Sequence, residues 1–145
     1  MRIIQASTKD FDELTSIWLD ASIKAHDFIT TEYWSSKVDE MKNVYLPASK
    51  TWISENDSHE ILGFVSMLEN HIAALFISPK HQSKGAGTQL LNFIKSKYNS
   101  LTLNVYEKNL QAFQFYKKHD FKTIEEALDE ETGEKDVVME WTKNN

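Results

Sequence analysis

Gln82-Ser83-Lys84-Gly85-Ala86-Gly87 is the stretch on which the reading of this chain turns. Upstream, His71-Ile-Ala-Ala-Leu-Phe-Ile-Ser78 is a nearly continuous apolar run of strand length, closed by Pro79. Downstream, Leu90, Leu91, Phe93, Ile94 and Tyr98 recur at helical spacing, so a helix is expected from about Gly85 to Lys97. Glycines two apart at such a junction let the backbone reach positive φ and approach a ligand closely. The free N–H groups of the first helical turn, with the positive end of the helix dipole, then form a diphosphate cradle. Lys84 and Lys80 add mobile positive charge beside it.

Two named phosphate loops do not match. A Walker loop requires Gly-x-x-x-x-Gly-Lys-Ser/Thr, which Gly85-Ala-Gly87-Thr88 does not supply. A Rossmann fingerprint requires a third glycine where Leu90 stands, although Glu107, 20 residues after Gly87, keeps its acidic half open. The seven residues from Pro79 to Gly85 are also too long for that tight turn. A glycine-rich helix entry with no ligand is the plain alternative.

Working outward, Leu101-Thr-Leu-Asn-Val-Tyr106 alternates with period two and reads as a strand. Asn109 to Lys118 is helical, with Phe113 and Tyr116 on one side and Ala112 and Phe115 closing its packing surface. Phe121–Ala127 and Val137–Trp141 are the last strands, joined through Asp129-Glu-Glu-Thr-Gly133. On the N-terminal side, Thr51–Glu55 and Ile61–Leu68 flank the turn Asn56-Asp-Ser-His59, and Asn70-His71 makes a second tight connection. Arg2–Ala6 is a short first strand. Ser7 to Asp10 has capping-box spacing before a stripe of Phe11, Leu14, Ile17, Trp18 and Ala21. A second helix is expected over Thr31–Tyr45, with Trp34, Val38, Met41 and Tyr45 on one side, ending before Pro47. The order βααβββαβαββ describes an α/β fold, a mixed sheet with a parallel crossover in its middle.

At 145 residues, with no repeat, no low-complexity linker and only two prolines, the chain reads as one domain, 1–145. A hydrophobic share of 41% supports a packed core. The net charge of −6 argues against a nucleic-acid partner and suits a cationic substrate. With no cysteine, disulfides, thiolate metal sites and a cysteine nucleophile are excluded. No apolar run reaches the ~20 residues of a membrane helix, and no secretory signal opens the chain, so a cytoplasmic protein is expected. His59, His81 and His119 have no ligand-like spacing, so no metal is expected.

Gln82-x-x-Gly85-x-Gly87 resembles, at every specified position, the Gln/Arg-x-x-Gly-x-Gly/Ala loop of the GNAT superfamily, the acetyl-coenzyme A-dependent N-acetyltransferases. Leu75-Phe-Ile-Ser-Pro79 resembles that family's strand-to-loop passage. Asn109-x-x-Ala112-x-x-Phe115-Tyr116-x-x-x-x-Phe121 resembles its second signature, and the element order is similar from Arg2 to Trp141. One position departs: the family usually has Gly before the final Phe, and here Asp120 stands there. Aspartate tolerates the left-handed conformation at modest cost, so a slightly strained corner is expected.

The resemblance implies a mixed sheet of about seven strands with four helices, whose central parallel strands splay apart around the pantetheine of coenzyme A. The backbone of Leu75, Phe76 and Ile77 would bond the pantetheine amides and the acetyl carbonyl. Gln82, Ser83, Lys84, Gly85, Ala86, Gly87 and Thr88 would take the pyrophosphate. Asn109 would bond the coenzyme arm, or serve only as a helix cap; Ala112, Phe115 and Tyr116 would complete that wall.

Amine attack on a thioester needs a base for the amine, donors for the oxyanion and an acid for the sulfur. By resemblance Tyr116 is the acid, and a phenol is protonated at neutral pH. His71 stands where several family members carry a glutamate acting through water. It is the candidate base, with a water chain or His26 as alternatives, and it can also be read as a plain turn histidine. His26 and Phe28 lie in the connection that overhangs the acceptor side, although a histidine at a helix C-terminus also has a dipole role. Asn104 and Tyr106 share a strand face and could line the acceptor pocket. The acidic stretch Glu125–Asp136 reads as a solvated hairpin that could also attract an amine. The expected activity is acetyl transfer from acetyl-coenzyme A to a primary amine of a small molecule or a protein. A non-catalytic coenzyme sensor is the alternative, and a nucleotide-dependent oxidoreductase a weak third. Monomer and homodimer are both open, with Trp34 and Trp141 adding to the aromatic load.

Overall fold

The structure, a computed structural model, describes residues 1–144. Its strands are β1 (Arg2–Gln5), β2 (Lys50–Glu55), β3 (Ile61–Leu68), β4 (His71–Ile77), β5 (Ser100–Tyr106), β6 (Lys122–Asp129) and β7 (Glu134–Thr142). They form one sheet in the order β1-β2-β3-β4-β5-β7-β6, antiparallel except for β4 beside β5. The expected mixed seven-stranded sheet is present.

Helix α1 (Phe11–Ala25) buries the stripe Leu14, Ile17, Trp18 and Ala21 on one face of the sheet. It is entered through a short 3-10 turn in which the Asp10 carboxylate accepts from the Ser7 N–H at 2.9 Å. The opposite face carries α5 (Ala86–Lys95) and α6 (Leu110–Lys118), packed on Leu101, Leu103 and Val105.

The second helix differs from expectation. It is broken into α2 (Thr31–Ser36), α3 (Val38–Glu40), a π-turn (Met41–Tyr45) and α4 (Leu46–Ala48), and it runs through Pro47 instead of stopping before it. Proline lacks the N–H of an α-helical bond and crowds the carbonyl four residues back, and a locally widened turn accommodates both defects. The break rotates the stripe. Trp34 and Met41 are buried while Tyr45 is exposed.

Two features of β4 create the site. Its parallel pairing with β5 is confined to His71↔Thr102 and Ile72↔Leu103, so the rest of the two strands diverge. Its register with β3 jumps from Ser66↔Ala74 to Met67↔Ile72, leaving Ala73 as an extra residue. The bulge turns Ile72, Leu75 and Ile77 toward the α5–α6 side, and Ala74 and Phe76 toward α1. Gly63 of β3 lies against this segment, where a Cβ would stand 2.6 Å from the Phe76 carbonyl oxygen. Asp120 adopts the expected left-handed conformation, φ +71°. No helix among the described residues is long and apolar enough to cross a membrane.

Candidate active site

Where β4 and β5 part, their facing backbone groups have no strand partner, and a cleft of about 420 Å³ opens toward the loop from Gln82 to Gly87. Leu75, Phe76 and Ile77 form one wall, and Asn109, Ala112, Phe115 and Tyr116 of α6 the other. Gln82, Ser83 and Gly85 through Thr88 close one end. Ser83 (φ +67°) and Gly85 (φ +87°) are left-handed, backbone of the kind that forms concave N–H nests for anions. Gly85 caps α5, so the free N–H groups of that helix's first turn open onto this end. These residues fit a coenzyme with a diphosphate and an amide-bearing arm.

Lys84 does not join them. Its ammonium sits 3.4 Å from His81 Nδ1, away from the cleft lining. Ala21 and Ala25 of α1 and Gln111 line the cleft instead, small or polar residues that carried no motif in the sequence.

A second cavity, of about 270 Å³, adjoins the first through shared walls: Leu75, Phe76, Asn109, Ala112 and Tyr116 line both. Tyr116 is 8% exposed, in edge contact with Phe115 and Phe121, and burial pushes its phenol well above the usual range. It is therefore protonated throughout the neutral range.

His26, Asn104 and Tyr106, which the sequence reading groups together, line this second cavity. His26 is 5% exposed, stacked on Trp34 at 5.0 Å and in edge contact with Tyr106. Its Nδ1 faces the Ser22 carbonyl at 2.9 Å and its Nε2 faces Asn109 Nδ2 at 3.1 Å. A carbonyl only accepts and an amide nitrogen only donates, so the ring is neutral with its proton on Nδ1. Burial, partly offset by the Ser22 bond, lowers its pKa in the same sense. Asn109 caps α6 through its Oδ1, which accepts from the Ala112 N–H at 3.3 Å, while its Nδ2 holds His26.

Phe28 stands behind this wall, packed edge-on against His26 and Tyr106 without lining the cavity. Its contribution is to brace those two rings. His71 also lies outside that cavity's lining. It lines a groove of about 530 Å³ with Trp18, Tyr33 and Trp34, not the cavity that holds Tyr116, and its Nδ1 lies 2.7 Å from Thr102 Oγ1. The bulge at Ala73 accounts for this, because it reverses the alternation between His71 and Leu75.

The acidic hairpin, read mainly as solvated, folds over that groove. Asp129 and Glu131 line it. Tyr106 donates to Asp129 at 2.5 Å, and Tyr33 donates to Glu131 at 3.1 Å. Burial and the Glu131 bond push the Tyr33 phenol up to about 12. The Lys37 ammonium, 2.9 Å from Glu131, holds that carboxyl below the usual range. Asp136 of β7 and the indoles Trp18 and Trp34 line the smaller cavity and were not singled out from sequence.

A family description, acetyltransferase (GNAT) domain, matches residues 16–143. The chain belongs to the GNAT family. It is 31% identical over 140 residues to the peptidyl-lysine N-acetyltransferase YiaC of Escherichia coli K12, across 96% of this chain and 95% of that protein. It is 35% identical over 111 residues to the peptidyl-lysine N-acetyltransferase YjaB of the same organism, across 77% of this chain and 75% of that one. The solution structure of apo YjaB superposes with a TM-score of 0.85 over 96% of this chain and 95% of that one. The crystal structure of the PaiA N-acetyltransferase of Thermoplasma acidophilum in complex with coenzyme A shares the fold, with a TM-score of 0.79 at 21% identity over 98% of both chains. This GNAT protein is an N-acetyltransferase.

Proposed function

We propose that this GNAT enzyme transfers the acetyl group of acetyl-coenzyme A to the side-chain amine of a lysine in a peptide or protein, by direct attack in a ternary complex. The observation that carries this reading is the shared wall. Tyr116, Leu75, Phe76, Asn109 and Ala112 face both the cleft that fits the coenzyme and the smaller aromatic cavity, so the two meet where a thioester would lie. The absence of cysteine leaves no thiol for an acyl-enzyme, which favours direct transfer. The kinship with two peptidyl-lysine N-acetyltransferases, one matched over nearly its full length, supports lysine as the acceptor.

In this reading the diverging backbone of Leu75–Ile77 bonds the pantetheine amides and the loop from Gln82 to Thr88 takes the diphosphate. Tyr116 supplies a proton to the departing thiolate. His71, Trp18 and Tyr33 belong to the groove that receives the acceptor's main chain, and the cavity lined by Trp18, Trp34 and Tyr106 encloses the aliphatic stem of the lysine. His26 holds Asn109 and thereby the start of α6.

The test follows thiol release from acetyl-coenzyme A with a panel of lysine peptides, free amino acids, spermidine and aminoglycosides. Rapid release with lysine peptides and acetyl-lysine in the product by mass spectrometry is the expected result. Turnover confined to small amines would refute the lysine reading, and coenzyme binding without turnover on any amine would identify a sensor.

A further inference from the structure

Among the described residues, three buried side-chain polar atoms have no hydrogen-bond partner: Ser22 Oγ, Trp34 Nε1 and Asp136 Oδ1. Two of the three, those of Trp34 and Asp136, belong to residues lining the smaller cavity. Buried polar atoms are nearly always paired, because leaving one bare forfeits the hydrogen bonds it made to water. Two lining residues of one cavity therefore each hold a polar atom that the protein itself leaves without a partner.

Asp136 is placed there by tertiary pairing. It lies on β7 directly across from Tyr106 on β5 and from Ala127 on β6. Its other oxygen, Oδ2, is 3.4 Å from Asn104 Nδ2. The groups that face it are Tyr106 from β5, Glu125 and Asp129 from β6, Glu134 on its own strand, His26 from α1 and Tyr116 from α6. His26 is neutral, Asp129 is occupied by Tyr106, and Glu134 is paired with Lys108 at 3.0 Å. No cation reaches Asp136 from any of these elements. Burial and the nearby Asp129 accordingly raise its pKa from the usual aspartate value, against the opposing bond from Asn104.

A primary ammonium carries three donors and a full charge, both of which must be met when it leaves water. Asp136 lines the cavity together with the aromatic rings of Trp18, Trp34 and Tyr106, which suit a cation and its methylene stem, and one oxygen of its carboxylate has no hydrogen-bond partner. We propose that Asp136 receives the acceptor's lysine ammonium in this cavity and takes its first proton, an assignment that rests on the lysine-acetyltransferase reading above.

The step balances as follows. The ammonium gives one proton to the Asp136 carboxylate, and the freed nitrogen lone pair forms the bond to the acetyl carbon. The carbon–sulfur bond breaks with its electron pair on sulfur, which takes a proton from Tyr116. The nitrogen's second proton, lost as the amide forms, replaces the one that Tyr116 gave. Asp136 then releases its proton to solvent, so lysine ammonium and thioester become acetyl-lysine, thiol and one proton.

Two measurements test this. In the first, protein saturated with coenzyme A is titrated calorimetrically with Nα-acetyl-lysine methylamide and with the norleucine analogue, which lacks the amine. Wild type is expected to prefer the lysine probe at least about tenfold, and Asp136→Asn to lose that preference while binding coenzyme A normally. An equal preference in Asp136→Asn, or none in wild type, overturns the proposal. If Asp136→Asn does not fold, the wild-type preference must still vanish once acid neutralises the carboxylate, and its persistence there overturns the proposal equally.

In the second, the pH profile of kcat/KM is recorded. Wild type should level off above the titration of Asp136, whereas Asp136→Asn should climb tenfold per pH unit toward the pKa of the free amine. An unchanged profile in Asp136→Asn with active wild type removes Asp136 and leaves the lysine acetyltransferase standing. Lysine-selective binding through Asp136 with no thiol release removes the proposed activity and leaves the amine site.

Discussion

His26 Nε2 accepts a hydrogen bond from Asn109 Nδ2 across 3.1 Å, tying the end of α1 to the start of α6 at the open end of the diverging strands. The two helices lie on opposite faces of the sheet, so this bond spans the gap that the sheet itself leaves open. It requires a neutral imidazole with its proton on Nδ1, which makes it sensitive to pH.

Because burial lowers the pKa of His26 below 6.5, the unfolded chain takes up a proton that the folded chain resists. Stability is therefore full above pH 6.5 and declines as pH falls through and below it. His71 and His119, both lowered by burial, act in the same direction. His26→Gln should lose about 1–2 kcal/mol at pH 8. Its urea-denaturation curves should then depend less steeply on pH between 5 and 6.5 than those of wild type, the remaining slope coming from the other two histidines. An identical slope would show that His26 does not titrate with folding.

Tyr116→Phe should fold as well as wild type, because no hydrogen bond from its hydroxyl holds the structure and the ring contacts with Phe115 and Phe121 survive. Its coenzyme A affinity should be unchanged while kcat falls at least about tenfold. Unaltered steady-state turnover would remove Tyr116 from proton transfer.

Gly63→Ala would drive a methyl group to 2.6 Å from the Phe76 carbonyl oxygen and into Ile77 Cδ1. The side chain could yield but the backbone carbonyl could not without parting β3 from β4. The expected cost is about 1–3 kcal/mol, seen as a lower melting temperature. Weaker coenzyme binding should accompany it, since Phe76 and Ile77 wall the cleft proposed for the coenzyme.

Asp120→Gly should stabilise the protein. Asp120 sits at φ +71°, a conformation glycine reaches without the clash that a Cβ brings. A gain of about 0.5–1 kcal/mol is expected after the greater flexibility of the unfolded chain is counted. A lower melting temperature would mean that the carboxylate, which lies near Lys95, contributes more than the strain costs.

Local sequence was enough for everything that depends on neighbours along the chain. Gln82, Gly85 and Gly87 mark the loop because a close backbone approach needs glycine wherever it occurs, and α6 announces itself through the spacing of Ala112, Phe115 and Tyr116. The strand and helix order followed from hydrophobic period alone, apart from the helix through Pro47, where a π-turn carries the chain past a residue that normally ends one. Lys84 and Phe28 fall outside the cavity linings, because proximity in sequence to a site does not fix where a side chain points.

What tertiary structure alone decided is which distant residues share the cavity. Asp136 faces Tyr106 only because β7 inserts between β5 and β6, a pairing that no local pattern encodes. The single extra residue at Ala73 turns His71 to the groove and Leu75 to the larger cleft, and a bulge is set by the partner strand's register, not by the bulged segment. Chemistry that rests on backbone conformation was written in the residues, whereas chemistry that rests on two strands meeting waited for the sheet to form.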